Sequence, residues 1–197
     1  MQDLAAQIAF ILEIDKLKAV YRKTMVKADD NRNENSAEHS WHIALLAQTM
    51  ATYAEHPINI LRVTKMLLIH DIVEIDAGDL FAFADEEAHQ AQEKKELEAA
   101  QRIFGLLPKA LEKEMLNLWL EFEKADSVDA QFAKGMDRIL PIFQNMSNNG
   151  GSWKVHNVCK AQVLKRNGYL RSSAPKLWEY VKQQVDVAVK KGWLLDG

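Results

Sequence analysis

An adjacent histidine and aspartate, His70 and Asp71, stand at the end of the apolar run formed by residues 66–69. A charge buried in an apolar environment is costly unless it is paired with an opposite charge or bound to a metal. Taken alone, the pair has two explanations: Asp71 orients a histidine of the protein core, or both side chains bind a metal ion.

Two other segments place a potential metal ligand among apolar residues. His39 precedes the apolar continuation of one predicted helix, and Asp137 lies inside another. With His70 and Asp71 they supply two imidazoles and two carboxylates, a donor set that suits zinc, manganese, iron, cobalt or nickel better than calcium. On a six-coordinate ion, four protein ligands leave positions for water and substrate, as catalysis requires.

The order His39, His70-Asp71, Asp137 resembles the HD-domain metal-dependent phosphohydrolase superfamily. The resemblance is closest to the bacterial branch related to 5′-deoxynucleotidases, and it rests on three segments: RNENSAEHSWHIALLA (residues 32–47), KMLLIHDIVEIDAGDLFAF (65–83) and FAKGMDRILPIFQNM (132–146). It covers most of residues 15–165. The ordered ligands, within EHSxH and HDxxE contexts, are far more specific than an isolated His-Asp dipeptide.

The resemblance implies a set of site residues and one divalent ion per chain, which would be cobalt, manganese, zinc, iron, nickel or magnesium. The implied metal ligands are His39, His70, Asp71 and Asp137. Glu74 is expected to orient or deprotonate the attacking water. Asp79 is expected to support the water network or protonate the leaving oxygen. Arg22, at the end of the first predicted helix, is expected to bind the phosphate through its paired donors.

One position departs from the family pattern. In the deoxynucleotidases a tryptophan that shapes the sugar pocket follows the arginine, whereas Lys23 follows Arg22 here. This difference leaves the metal chemistry that the resemblance implies unchanged, but the resemblance no longer implies a strict preference for 2′-deoxy sugars. The implied substrate is a small phosphate monoester, specifically a nucleoside 5′-monophosphate with ribose or deoxyribose, which is cleaved to nucleoside and phosphate. The family also suggests a homodimer.

Two other functions use the same ligands. A non-catalytic sensor would keep the metal and nucleotide pocket without turnover, and a structural metal bundle would need the ligands alone. The presence of Glu74 and Asp79 beside four ligands argues against both alternatives. Neither nucleotide binding nor stabilisation of the fold by a metal requires an acid that orients water.

Several neighbouring residues keep open roles. His42 is either a structural histidine or a residue that supports the metal site, and Arg32 is either a phosphate contact or a solvated loop residue. Arg138 follows a proposed ligand and points about 100° away from it on a helix, so it either flanks the pocket or does not reach it. The segment 149–153 either covers a nucleobase or is a plain interhelical loop.

Helices must position these side chains, because apolar residues recur at helical spacing along nearly the whole chain. The predicted helices cover residues 4–21, 37–55, 58–74, 85–106, 126–146, 155–166 and 175–191, with another opened by Pro108 at its first position. Ser36 is the predicted N-cap of the second helix, and Pro141 is expected to kink or end the helix that carries Asp137.

Residues 27–35 and 148–152 are predicted loops, and no useful strand is predicted. The expected fold is all-α: one compact HD-domain helical bundle with extra C-terminal helices, spanning residues 1–197.

Charge and composition argue against nucleic-acid polymers and membranes as partners of this protein. The net charge of −3 over 197 residues gives no basic footprint for a nucleic-acid polymer. No apolar run approaches the ~18 residues of a membrane span, and acidic residues near the N-terminus argue against a signal peptide. A single cysteine, Cys159, has no partner for an internal disulfide. We therefore expect a cytoplasmic protein with no membrane partner, acting on a small phosphorylated molecule.

Overall fold

The computed structural model describes residues 1–197, and most of the chain is helical, which confirms the all-α prediction. The α-helices are α1 (Gln2–Ile14), α2 (Ser36–Met50), α3 (Ile60–Ile69), α4 (Glu74–Ala77), α5 (Glu86–Phe104), α6 (Lys109–Lys124), α7 (Val128–Ser147), α8 (Gly151–Val155), α9 (Lys160–Arg166), α10 (Leu170–Ser173) and α11 (Pro175–Lys190). Short 3₁₀ segments occupy Asp15–Ala19, Ala51–Tyr53 and His70–Val73. No helix combines the length and the hydrophobicity needed to cross a membrane.

An antiparallel hairpin corrects the sequence-based description of the segment after α1. Strand β1 (Tyr21–Val26) pairs with β2 (Arg32–Asn35). The turn between them holds two residues at positive φ, Asp30 at 47° and Asn31 at 60°, residue types that tolerate this conformation. The predicted loop is therefore correct for residues 27–31 and wrong for residues 32–35, and the predicted absence of strands is wrong. Polar residues fill this segment and hide the strand pattern.

The same correction moves Arg22, which lies on β1 and not at the end of the first helix. Helix α1 ends at Ile14, and a 3₁₀ turn leads from it to the hairpin. Because β1 contacts α7, the hairpin carries Arg22 to the helix that also bears Asp137.

Two predicted helix starts are displaced by one residue, and the helix predicted over residues 37–55 ends at Met50. Asn35, and not Ser36, is the N-cap of α2, where it forms a capping box with Glu38. Pro108 is the N-cap of α6 and not its first residue. Pro175 does begin α11, where its missing N–H is harmless.

Three longer predictions also need correction. The helix predicted over residues 58–74 is divided into α3, the 3₁₀ segment and α4. The helix predicted over 155–166 is shorter, because α8 ends at Val155 and α9 begins at Lys160. Since α8 starts at Gly151, only the first part of the predicted loop 148–152 lies outside a helix.

Helix α7 does not end at Pro141 but continues to Ser147. Proline has no N–H, so it cannot donate to the carbonyl of Asp137 four residues earlier. Asn145 donates from Nδ2 to the Pro141 carbonyl at 2.7 Å, which supports the backbone one turn later.

A continuous apolar core lies under the helices that carry the candidate ligands. Helix α3 packs on both α2 and α7, and α6 contacts α3 and α7. Fully buried side chains of this core come from all three ligand-bearing segments; they include Ile43, Ala47, Val63, Met66, Leu67, Phe132, Met136 and Ile139. Packing of this density fixes the relative positions of the helices, and therefore of the ligands.

Truncation of Phe132 to alanine is expected to destabilise the fold by about 3–5 kcal/mol, the usual cost of a large aromatic cavity. Phe132 is fully buried in α7, one turn before Asp137. Chemical denaturation of the Phe132→Ala chain measures this loss. Leu61→Ala is the control, because Leu61 is 72% exposed on α3 and should cost well under 1 kcal/mol. Equal losses in the two variants would contradict the assigned core.

Candidate metal centre

Three elements bring the predicted ligands together. His39 lies in the first turns of α2, His70 and Asp71 form the 3₁₀ turn that follows α3, and Asp137 lies in the middle of α7. Ligand atoms of His39, His70 and Asp137 all lie within 4.8 Å of one another, a grouping that could hold a metal ion. All three residues are buried.

Each histidine has one ring nitrogen bonded outward, away from the cluster. His39 Nδ1 is 3.2 Å from Glu34 Oε2, and His70 Nδ1 is 2.9 Å from the Leu67 carbonyl. Carboxylate and carbonyl oxygens only accept, so both Nδ1 atoms must donate. The two Nε2 atoms then face the cluster as potential ligands, an arrangement typical of metal-binding histidines.

The inner nitrogen of His70 shows that the cluster requires a cation. His70 Nε2 is buried and makes no hydrogen bond, although it lies 2.8 Å from Asp71 Oδ1 and 3.7 Å from Asp137 Oδ1. A nitrogen lone pair that faces two carboxylates is unfavourable unless a proton or a metal ion lies between them. The residues present therefore fit a divalent metal ion.

The pKa values of the same residues are shifted in the directions that favour a protonated His70 and ionised Asp71 and Asp137. Burial opposes the charged form of His70, but the Asp71 and Asp137 carboxylates outweigh it and raise the pKa of His70 to about 10. Burial also opposes ionisation of Asp71, yet His70 and Arg22 lower the pKa of that carboxyl to about 2. The pKa of Asp137 is likewise held well below its usual range: burial opposes the shift, but the hydrogen bond to His39 and the nearby charge of His70 outweigh it.

Asp71 borders the cluster but also bonds to Arg22. Arg22 Nη1 donates to Asp71 Oδ2 at 2.7 Å. The other oxygen, Oδ1, faces His70. The structure thus brings Asp71 into contact with one of the three clustered residues, and its role as the fourth ligand stays a prediction.

Arg22 is surrounded by acids. Besides Asp71, carboxylate oxygens of four residues lie 3.9–4.0 Å from its guanidinium; these are Glu34, Glu74, Asp79 and Asp137. Burial alone would lower the pKa of Arg22, but these carboxylates, Asp71 foremost, raise it above its usual range. Arg22 lies in the site as predicted, and its contact with phosphate stays a prediction.

Glu74 and Asp79 approach the cluster from the turn after the ligand pair. Ser36 Oγ donates to Glu74 Oε2 at 2.5 Å, which orients this buried carboxylate. Burial and the nearby Asp71 raise the pKa of Glu74 well above its usual range. Gly78 at φ 75° ends α4 in a conformation that favours glycine, and the chain turns so that Asp79 also reaches Arg22. Burial raises the pKa of Asp79 to about 6, with Arg22 opposing.

These residues open onto a cavity of about 390 Å³. His70, Asp71, Glu74, Asp79 and Asp137 line it, as do Arg22 and Lys23 from β1. Other parts of its wall come from the loop after α4, from α7 and from residues 152–169; they include Phe81, Arg138, Asn145, Trp153, Arg166 and Tyr169. The volume is that of a small-molecule pocket.

Several residues with open roles find definite positions. Arg138 lines the cavity, and so do Ser152 and Trp153 of the segment around α8. Arg32 instead forms ion pairs outside the cavity with Asp29 and Glu38. His42 packs against Trp41 with ring centroids 5.8 Å apart and does not line the cavity.

Two residues of the site escape sequence reasoning. Glu34 is buried on β2 and accepts hydrogen bonds from His39 and, at 2.7 Å, from Gln144 Nε2. Its sequence signal, an acid five residues before a candidate ligand, is lost in a polar segment. Arg166 closes α9 beside other lysines and arginines, and no local pattern distinguishes it from a solvated residue.

Comparison with known proteins gives a consistent match. The family model described as "HD domain" matches residues 14–178. The 5′-deoxynucleotidase HDDC2 of Bos taurus is 32% identical over 137 residues, which is 70% of this chain and 65% of the relative. A 5′-deoxynucleotidase of Pasteurella multocida is 31% identical over 111 residues, 52% of this chain and 55% of the relative. The chain thus spans about two thirds or less of the length of these curated relatives.

Solved structures agree with this match. The crystal structure titled as a predicted metal-dependent phosphohydrolase from Magnetospirillum magnetotacticum MS-1 superposes with a TM-score of 0.91, at 45% identity, covering 98% of this chain and 99% of the other. An HD-domain phosphohydrolase from Listeria innocua has a TM-score of 0.61 at 16% identity, over 93% of this chain and 85% of the other, and supports the fold alone. Because the family model matches more than half of the chain, the protein belongs to the HD domain family.

Proposed function

We propose that this chain is a metal-dependent phosphohydrolase that cleaves a ribo- or deoxynucleoside 5′-monophosphate to nucleoside and inorganic phosphate. One observation carries the proposal: the buried carboxylate of Glu74 and the half-buried carboxylate of Asp79 line the same cavity as His70 and Asp137 of the metal cluster. A site that only bound a metal would have no use for two additional acids at such a cost in burial. The names of the bovine and Pasteurella relatives support the substrate class.

We infer one divalent ion per chain, held by His39, His70, Asp71 and Asp137. When bound, such an ion neutralises charge on a phosphoryl group and makes a neighbouring water more acidic.

The chain's own carboxyl groups move the protons. Glu74, oriented by Ser36, takes a proton from the water that attacks phosphorus. As the P–O ester bond breaks, Asp79 donates a proton to the departing nucleoside oxygen. The products are the nucleoside and inorganic phosphate, so both protons and the transferred phosphoryl group are accounted for. The guanidinium of Arg22 contacts the non-bridging oxygens of the phosphate.

The sugar is not selected by a tryptophan after Arg22. Lys23 lines the cavity at this position and is exposed. We therefore expect both ribose and deoxyribose substrates to be accepted.

We also infer a homodimeric, cytoplasmic protein whose single domain spans residues 1–197. An exposed apolar stripe on α1, formed by Leu4, Ile8 and Ile11, supports the dimer. The single free cysteine, Cys159, supports a reducing compartment.

A phosphate-release screen tests the proposal. The purified chain is assayed with ribo- and deoxynucleoside 5′-monophosphates in the presence of Mn²⁺, Co²⁺, Mg²⁺ or Zn²⁺. We expect metal-dependent release that a chelator abolishes. Absence of release from every monophosphate with every ion would contradict the proposed function.

Removal of the Arg22 guanidinium by Arg22→Ala is expected to lower kcat/KM by an amount equivalent to about 2–4 kcal/mol of transition-state stabilisation. The reason is the loss of a desolvated, charge-assisted contact to phosphate. Steady-state kinetics with parallel metal analysis measures the effect. Arg32→Ala is the control, because Arg32 lies outside the cavity and is paired with Asp29 and Glu38. An Arg22→Ala chain with unchanged kcat/KM would place this residue outside the mechanism.

A further inference from the structure

Two arginines on the cavity wall, Arg138 of α7 and Arg166 of α9, have no acidic partner within salt-bridge distance. Arg138 Nη1 donates to the Arg166 carbonyl at 2.9 Å, and Arg166 Nη1 donates to the Ala82 carbonyl at 3.4 Å. These are neutral partners. The charge environment of Arg22 is different, because carboxylates surround it.

A hydrogen-bond donor remains without a partner at the part of the cavity wall that Arg138 and Arg166 form. The N–H at Arg138 Nε is buried and has no hydrogen-bond partner. The Arg138 guanidinium lies 4.6 Å from the centre of the Tyr169 ring. A guanidinium stacked on a ring keeps its N–H edge available for a planar or tetrahedral oxyanion.

Two guanidinium groups so placed repel each other, and neither forms a direct ion pair with a carboxylate of the protein. Burial and the Arg138 guanidinium both lower the pKa of Arg166, to about 10, although the Asp137 carboxylate opposes this shift. Buried charges in proteins are normally paired. A ligand anion is the remaining source of the missing charge.

We propose that Arg138 and Arg166 bind a second phosphate group of the substrate, distinct from the phosphoryl group that is cleaved. This inference rests on the proposed function. The cleaved group must lie at the metal cluster near Arg22 and Glu74. Arg138, although it follows Asp137, extends towards α9 and Tyr169 and forms no ion pair with the acids of that cluster. The substrate class is accordingly a phosphomonoester with two phosphates, such as a nucleoside 3′,5′-bisphosphate.

Matched substrates test the second subsite. Phosphate release from a nucleoside 3′,5′-bisphosphate and from the corresponding 5′-monophosphate is compared in the Mn²⁺-loaded full chain. We expect kcat/KM to favour the bisphosphate by about tenfold or more, because one charge-assisted contact is worth roughly that factor. Arg166→Gln should remove this preference, and the Mn²⁺ content and unfolding temperature of the variant report that it is folded.

Lys165→Gln is the matched control, because Lys165 is exposed on the same turn of α9 and does not line the cavity. It should retain the wild-type preference. A wild-type chain that does not distinguish the two substrates, or an Arg166→Gln chain that loses both activities equally, would overturn the second subsite.

Binding without turnover separates this inference from the proposed function. If neither substrate releases phosphate, the proposed function fails, and the subsite is then tested by titrating the chelator-treated full chain with inorganic phosphate. We expect Arg166→Gln to weaken phosphate binding by about tenfold and Lys165→Gln to leave it unchanged. Equal affinity in all three proteins, or no binding to the wild type, would overturn the subsite.

Discussion

Replacement of His70 by alanine should abolish phosphate release and reduce the bound metal to well below one ion per chain. His70 is buried, and its Nε2 atom faces the carboxylates of Asp71 and Asp137. Its removal deletes one ligand and takes away the imidazole that faces both carboxylates, so the remaining site is weaker and its negative charge is less well compensated. Elemental analysis and turnover, measured on the same preparation, give both quantities.

His42→Ala is the control for this experiment. His42 follows His39 by one helical turn but packs against Trp41 outside the cavity. It should keep the wild-type metal content and turnover. Full metal occupancy in the His70→Ala chain would exclude His70 from the ligand set.

Conversion of Glu74 to glutamine should lower kcat by about 10²–10⁴, the usual contribution of a positioned acid or base. Glutamine keeps the size and one acceptor oxygen, so Ser36 can still donate to residue 74. It cannot take a proton from water. Metal content and substrate affinity should therefore stay close to those of the wild type.

Asp76→Asn is the matched control, since Asp76 lies on the same short helix but pairs with Arg102 at the surface. Metal analysis, ligand titration and turnover distinguish the outcomes. Loss of metal in Glu74→Gln would make Glu74 a ligand, and unimpaired turnover would remove it from the mechanism.

Much of the fold was accessible from the sequence because helical periodicity is strong in segments that pack against the core. Helix α7 carries its apolar residues at regular spacing, and tertiary contacts keep it helical through Pro141. The hairpin was not accessible, because β2 is polar, β1 shows no regular alternation of apolar residues, and neither strand contributes to the apolar core. Only the antiparallel pairing of β1 with β2 in the structure identifies the hairpin.

Some residues of the candidate site were also accessible from the sequence, and others were not. His39, His70 and Asp137 stand out in the sequence because each is polar within an apolar context, and the structure clusters them. Glu34 and Arg166 stand in polar contexts, so their contribution depends on long-range packing that local patterns do not encode. Glu34 bonds to Gln144 across 110 residues of sequence.

The central claim is that His39, His70, Asp71 and Asp137 bind one divalent ion. Anomalous diffraction at the zinc edge, from crystals of the full chain grown with Zn²⁺, tests it directly. We predict one strong anomalous peak per chain, about 2.0–2.2 Å from a ligand atom of each of the four side chains. A peak elsewhere with none at this cluster, or a peak at the cluster that Asp71 does not contact, would contradict the claim.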